Sequence, residues 1–75
     1  MIMELYHYTI DKSKIEVYPA DTEGHYRVHW NGVGIGYIYV SDLDDDLGVP
    51  IWNGSTPLLN LHAPEIGRYI EEVDL

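Results

Sequence analysis

Two groups of side chains carry the chemistry open to this sequence: a run of acids and a set of polar residues at alternating strand positions. The run is Asp42-Leu43-Asp44-Asp45-Asp46-Leu47-Gly48, and a second acidic group closes the chain at Glu71, Glu72 and Asp74. Asp42, Asp44 and Asp46 match positions 1, 3 and 5 of an EF-hand calcium loop. The rest of that pattern fails. Position 6 is Leu47 where glycine should make the turn, and position 12 is Asn53 where a bidentate glutamate should complete the shell. No metal site is assigned, and no cofactor is implied.

In an extended segment, alternate carboxylates lie about 6.6 Å apart on one side. That spacing is comparable to neighbouring phosphates along a nucleic-acid strand. Asp42, Asp44, Asp45, Asp46, Glu71, Glu72 and Asp74 are therefore candidates for binding a basic surface on a protein partner. An inhibitor or accessory factor that mimics nucleic acid would work this way. The plainer reading is a solvated loop and a frayed tail. Acids at a helix C-terminus oppose the macrodipole by about 0.3–1 kcal/mol each, and a local rule broken without compensation can mark function.

His7, Glu16, Tyr18, Arg27 and His29 form the second set. Alternation places them on one sheet face, with His7, Tyr18, Arg27 and Gly36 in one cross-strand row and Thr9, Glu16, His29 and Gly34 in the next. Glu16 opposite His29 would orient and charge the imidazole, as a general acid–base pair requires. Arg27 would hold an anion above the floor of Gly34 and Gly36. Such neighbours are also ordinary solvent-facing pairs, and no nucleophile or oxyanion device accompanies them. The expectation is a non-enzyme, with this polar face kept as an alternative small-ligand, metal-binding or catalytic surface. His25 and His29 stand about 13 Å apart along their strand and cannot share a metal ion. Gly32-Val33-Gly34-Ile35-Gly36 is not a nucleotide loop, because it continues a strand instead of opening a helix. Its alternate glycines permit close approach by something flat, such as a neighbouring ring or a partner.

These residues need a scaffold, and the hydrophobic period supplies one. Residues 4–10, 15–19, 26–30 and 33–40 alternate as strands, with a short fifth at 49–52. Asn31-Gly32 predicts a type I′ hairpin turn, since both residues tolerate positive φ. That turn pairs Trp30 with Val33, Val28 with Ile35, and Tyr26 with Tyr37. The intervening pairs are His29 with Gly34 and Arg27 with Gly36. A four-residue turn at Asp11-Lys12-Ser13-Lys14 pairs Ile10 with Ile15 and Tyr8 with Val17. Ala63-Pro64-Glu65 reads as a helix start, with proline at the first helical position and Ile66, Tyr69, Ile70 and Val73 on the buried stripe. Ser55-Thr56-Pro57 opens a short helical turn carrying Leu58, Leu59 and Leu61 inward. Trp52 is expected to cap the core beside the helix, and His62 to face solvent or cap. The fold class is α+β: an antiparallel four- to five-stranded meander with one C-terminal helix on its apolar face.

Length and composition bound the rest. Seventy-five residues suit a single small domain over 1–75. Thirteen Asp and Glu against four Lys and Arg give a net charge of −9, which argues against direct nucleic-acid binding. The absence of cysteine excludes disulfides, thiolate zinc sites and cysteine nucleophiles. No apolar run is long enough to span a membrane and no basic leader opens the chain, so a cytoplasmic protein is expected. Seven Tyr and two Trp with no Phe suit half-buried positions and interfaces. The favoured function is a small acidic interaction protein. The other alternative is a self-associating β-rich domain, a homodimer formed through a sheet edge or its Tyr-rich face.

Overall fold

A computed structural model describes residues 5–74. Five strands and one helix follow in chain order: β1 Tyr6–Ile10, β2 Ser13–Val17, β3 Tyr26–Trp30, β4 Val33–Leu43, β5 Pro50–Gly54 and α1 Pro57–Asp74. The strands form one antiparallel meander in the order β1-β2-β3-β4-β5, and α1 packs against it. The expected α+β architecture is the one adopted.

The β3–β4 hairpin turns at Asn31 and Gly32, with φ of 51° and 84° as a type I′ turn requires. Its first pairs, Trp30 with Val33 and His29 with Gly34, match the expected register. Beyond them the register shifts. Val28 pairs with Gly36, Arg27 with Tyr37 and Tyr26 with Ile38, so Ile35 is an extra residue in a β-bulge. Gly36 makes this possible at φ 143°, a conformation that side-chain-bearing residues rarely adopt. The expected pairs Val28–Ile35, Arg27–Gly36 and Tyr26–Tyr37 are thereby corrected. From the bulge onward, Gly36 and Ile38 face the helix while Tyr37 and Tyr39 face away.

The β1–β2 turn is also tighter than expected. Asp11 and Lys12 alone make it, at φ 46° and 70°, and Ile10 pairs with Ser13 and Tyr8 with Ile15. This register differs by two residues from the four-residue turn, so every side chain keeps its face. Lys12 holds a left-handed conformation that costs a residue with a Cβ about 1–2 kcal/mol. Lys12→Gly is expected to raise stability by about 0.5–1 kcal/mol, read as a melting temperature several degrees above the parent.

The helix begins at Pro57, seven residues before the expected Ala63–Pro64 start. The short helical turn expected at Ser55-Thr56-Pro57 and the helix expected from Pro64 are one continuous helix, with Pro57 as its first residue. Thr56 Oγ1 accepts the Leu59 amide at 3.2 Å as an N-cap, and Pro57 occupies the first helical position, where its missing N–H leaves nothing unpaired. Pro64 lies inside the helix. It offers no amide to the Asn60 carbonyl, and the helix persists because packing spans the gap. Leu59, Ala63, Ile66 and Ile70 are buried against Ile15, Val17, Val28 and Ile38 from the sheet. Leu58, Leu61 and Val73 are exposed instead of core, and Tyr69 is half-buried.

Three glycines let α1 settle closely on β4 and β5. A Cβ at Gly36 would meet Ser55 and Leu59, one at Gly54 would strike the backbone of Leu59 and Asn60, and one at Gly67 would enter the Trp52 indole. Gly36 therefore lies under the helix start, not on a floor beneath Arg27. Trp52 is buried as expected, with its ring edge-on to Tyr26 at 5.3 Å and its Nε1 donating to Glu71 at 2.9 Å.

Candidate functional site

Antiparallel alternation decides which connections share an end of the molecule. The turns at 11–12 and 31–32 and the start of α1 lie at one end. The 18–25 connection, the β4–β5 tip and the C-terminus of α1 lie at the other. The helix reverses direction after β5, running from Leu59 beside Gly54 to Glu71 beside Trp52. Asp21, Glu23, Asp42, Asp44, Asp45, Asp46, Glu71, Glu72 and Asp74 thus fall at one pole, with no Lys or Arg on segments 18–25, 42–49 and 69–74. The negative end of the helix dipole points the same way. The two acidic groups read separately in the sequence converge, and the 18–25 connection adds a third.

Their local geometry differs from an extended comb. Asp42 belongs to β4, which extends through Leu43, and a second bulge separates the pairs Val40–Trp52 and Asp42–Ile51. The chain then turns: the Gly48 amide donates to the Asp44 carbonyl at 2.6 Å, and the Asp44 amide to the Val49 carbonyl at 2.8 Å. Asp44 Oδ1 accepts the Asp46 and Leu47 amides at 2.9 and 3.1 Å, so this carboxylate ties its own loop. The expected row of alternate carboxylates at phosphate spacing is not formed. Asp45 and Asp46 stand exposed at the tip and Asp42 stands exposed on its flank.

This tip projects. β3 reaches β4 only as far as Ile38, so Tyr39–Leu43 pair with β5 alone and form a two-stranded arm. Val40, Leu43, Leu47, Val49 and Ile51 are exposed along it. The arm joins apolar surface to acids.

Two further acids have structural duties. Glu71 accepts the Trp52 indole N–H, which would otherwise be a donor beside the core without that partner. Glu71→Ala is expected to lose about 1–2 kcal/mol in urea unfolding, whereas Glu72→Ala stays within about 0.5 kcal/mol of the parent. Asp21 Oδ1 accepts the Glu23 and His25 amides at 2.8 and 3.0 Å. The His25 N–H first, and then that of Glu23, hold the Asp21 carboxyl below its ordinary value. Because the folded value is depressed, this group's contribution to stability is in place above the ordinary Asp range. It is lost as pH falls through the folded value. The His25 amide resonance should therefore report a carboxyl titration below the ordinary Asp range.

The polar sheet face forms with altered rows. His7, Glu16, His29 and Gly34 lie side by side, and Thr9 pairs with Lys14. Tyr18 donates its amide to the Arg27 carbonyl at 2.8 Å, and Arg27 pairs with Tyr37. Glu16 is opposite His29, as expected, yet the His29 ring lies against Tyr18 at 4.8 Å and over Gly34. Flat approach by a neighbouring ring explains Gly34. A second ring group lies outside the expected rows: His25 stacks on Tyr37 at 4.2 Å, and Tyr39 lies 6.0 Å from His25. The bulge put those tyrosines on this face, and the switch to Tyr37-Ile38-Tyr39-Val40 was its signal.

A third surface lies where α1 meets β1. Tyr8, Pro64, Glu65, Arg68, Tyr69 and Glu72 line an open cleft of about 380 Å³. Tyr8 donates its hydroxyl to Glu65 Oε2 at 3.2 Å, and the other Glu65 oxygen meets His62 Nδ1. His62 also lies against Trp30 at 5.5 Å, so it is half-buried within a cluster and not simply solvent-facing. The cleft was hidden in the sequence because its walls come from residues 57 positions apart.

Among the described residues, no three His, Asp or Glu side chains converge as a metal ion would require, and no helix is long and apolar enough to cross a membrane. Compared with known proteins, the chain matches no family model, no curated protein and no solved structure.

Proposed function

We propose that this is a small non-catalytic interaction protein whose acidic pole binds a basic surface on a protein partner. The observation that carries this reading is the convergence, among the twelve Asp and Glu of the described residues, of nine on one pole whose segments hold no Lys or Arg. Such a pole steers a basic partner from a distance and gives fast, salt-sensitive association. The β4–β5 arm supports the reading, because exposed Leu43, Leu47 and Ile51 offer apolar contact inside an acidic rim. Nucleic-acid mimicry has no support from a regular row of carboxylates, since the tip is a closed turn. Charge and an apolar arm are the basis of recognition.

The test is capture from native extract at about 50 and 300 mM salt, comparing the parent with the D42N/D45N/D46N variant, which leaves the loop-tying Asp44 in place. The reading expects a partner with a basic surface, held at least tenfold less tightly by the variant at low salt. Equal affinity of variant and parent at both salts would reject it. A second reading, self-association, is favoured by the half-buried rings of Tyr18, His25, His29, Tyr37 and Tyr39, which group on the sheet face away from the helix. Scattering mass that stays monomeric at millimolar concentration would remove it.

A further inference from the structure

The cleft between Tyr8 and α1 combines two features that suit one kind of ligand. Its walls include two aromatic rings, Tyr8 and Tyr69, with centroids 5.0 Å apart and planes inclined at 42°. Its rim carries the carboxylates of Glu65 and Glu72, two turns apart on α1. Aromatic faces attract cations through their quadrupole, and carboxylates beside them add a full charge. Arg68 also lines the cleft, and among the described residues it makes no ion pair with either acid. Two carboxylates against one guanidinium leave the rim net negative. The Tyr8 hydroxyl registers the same field. Burial, then the hydrogen bond and charge of Glu65, and then the charge of Glu72, all push its ionisation above the ordinary value.

We propose that this cleft receives one arginine side chain of the protein partner. The inference rests on the acidic-pole reading and deepens it: the pole attracts a basic surface, and the cleft grips a single residue of that surface. Arginine fits better than lysine. A planar guanidinium can lie on a ring face while its N–H fork reaches a carboxylate edge-on, whereas an ammonium supplies only a compact charge. Glu65 is already held in place by Tyr8 and His62. Glu72, one turn beyond Arg68, is the exposed acceptor at the mouth.

The experiment titrates the full chain with N-acetyl-arginine methylamide and follows amide shifts. N-acetyl-citrulline methylamide serves as the uncharged isostere, and the lysine analogue as the alternative cation. Saturable shifts at Tyr8, Glu65, Tyr69 and Glu72 are expected, at least tenfold weaker with citrulline and weaker with lysine. Glu72→Gln, an exposed change that leaves packing intact, should weaken arginine binding about fivefold, and Tyr69→Leu more so. D42N/D45N/D46N should bind the arginine probe within twofold of the parent while losing the protein partner, which separates the two readings. Equal binding of citrulline, lysine binding as tight as arginine, shifts confined to the β4–β5 tip, or indifference to Glu72→Gln would each overturn the assignment.

Discussion

Gly54→Ala is expected to lower stability by about 3 kcal/mol, the upper end of ordinary overpacking. The added methyl would fall on the backbone of Leu59 and Asn60, and its Cβ would stand 2.6 Å from the Leu59 Cβ. A flexible side chain could swing aside, but here the obstacle is the first turn of α1. That turn is fixed from three directions: Thr56 caps it, Ser55 donates its amide to the Tyr37 carbonyl at 2.9 Å, and Asn60 accepts the Gly54 amide at 3.2 Å. Relief requires lifting the helix from β4 and β5, which exposes Leu59 and Ile66. A domain of this length holds only about 4–11 kcal/mol in total, so the loss should lower the melting temperature by roughly 12 °C or more. Thermal unfolding by circular dichroism reads it. A change within 3 °C would mean that the helix does not sit as closely as described.

Gly67→Ala should reverse the usual sign of a helix glycine. In an exposed helix the change gains about 1 kcal/mol from propensity. At position 67 the methyl enters the Trp52 indole, and the expected outcome is a net loss of about 2–3 kcal/mol. Displacing that ring also disturbs its edge contact with Tyr26 and the hydrogen bond from Nε1 to Glu71. The Trp52 indole N–H resonance should therefore move more than that of Trp30. Pairing Gly67→Ala with Trp52→Leu should cost less than the sum of the two single changes, because the smaller side chain vacates the space the methyl needs. Additive losses would show that the two positions are not in contact.

The parts of this fold legible in the sequence were those that depend on local period and turn chemistry. Asn31-Gly32 fixed a hairpin, and alternation assigned Tyr8, Ile10, Ile15, Val17 and Val28 to the inner face without knowledge of the first turn's length. The bulge at Ile35 was harder to read. Its local signs are a glycine inside a strand and the change to Tyr37-Ile38-Tyr39-Val40, and it reverses the face of the residues from Gly36 to Val40, where the second bulge follows. That reversal moved Tyr37 and Tyr39 outward and Ile38 into the core. The early start of α1 was obscured by Pro64, which looks like a boundary when tertiary packing is unknown. Burial of Leu59 and Ala63 carries the helix across it.

The candidate site divides along the same line. The acids at 42–46 and 71–74 are visible by counting, but their shared pole follows from strand alternation and helix direction. Asp21 and Glu23 join them only through the topology. The tyrosine cleft needs β1 and α1 to be neighbours, and no local pattern brings Tyr8 to Tyr69. Self-repulsion at the pole also bears on stability: added salt should raise the melting temperature by several degrees, since screening acts most on charges near one another.

Amide hydrogen exchange of the protein bound to its captured partner tests the acidic-pole account most directly. Protection is expected at residues 18–25, 42–49 and 69–74, fading as salt is raised, with β1 altered only around Tyr8 and with β2 and the outer face of β3 unchanged. Protection centred on His7, Glu16, Arg27 and His29, with the β4–β5 tip exchanging as in the free protein, would contradict it.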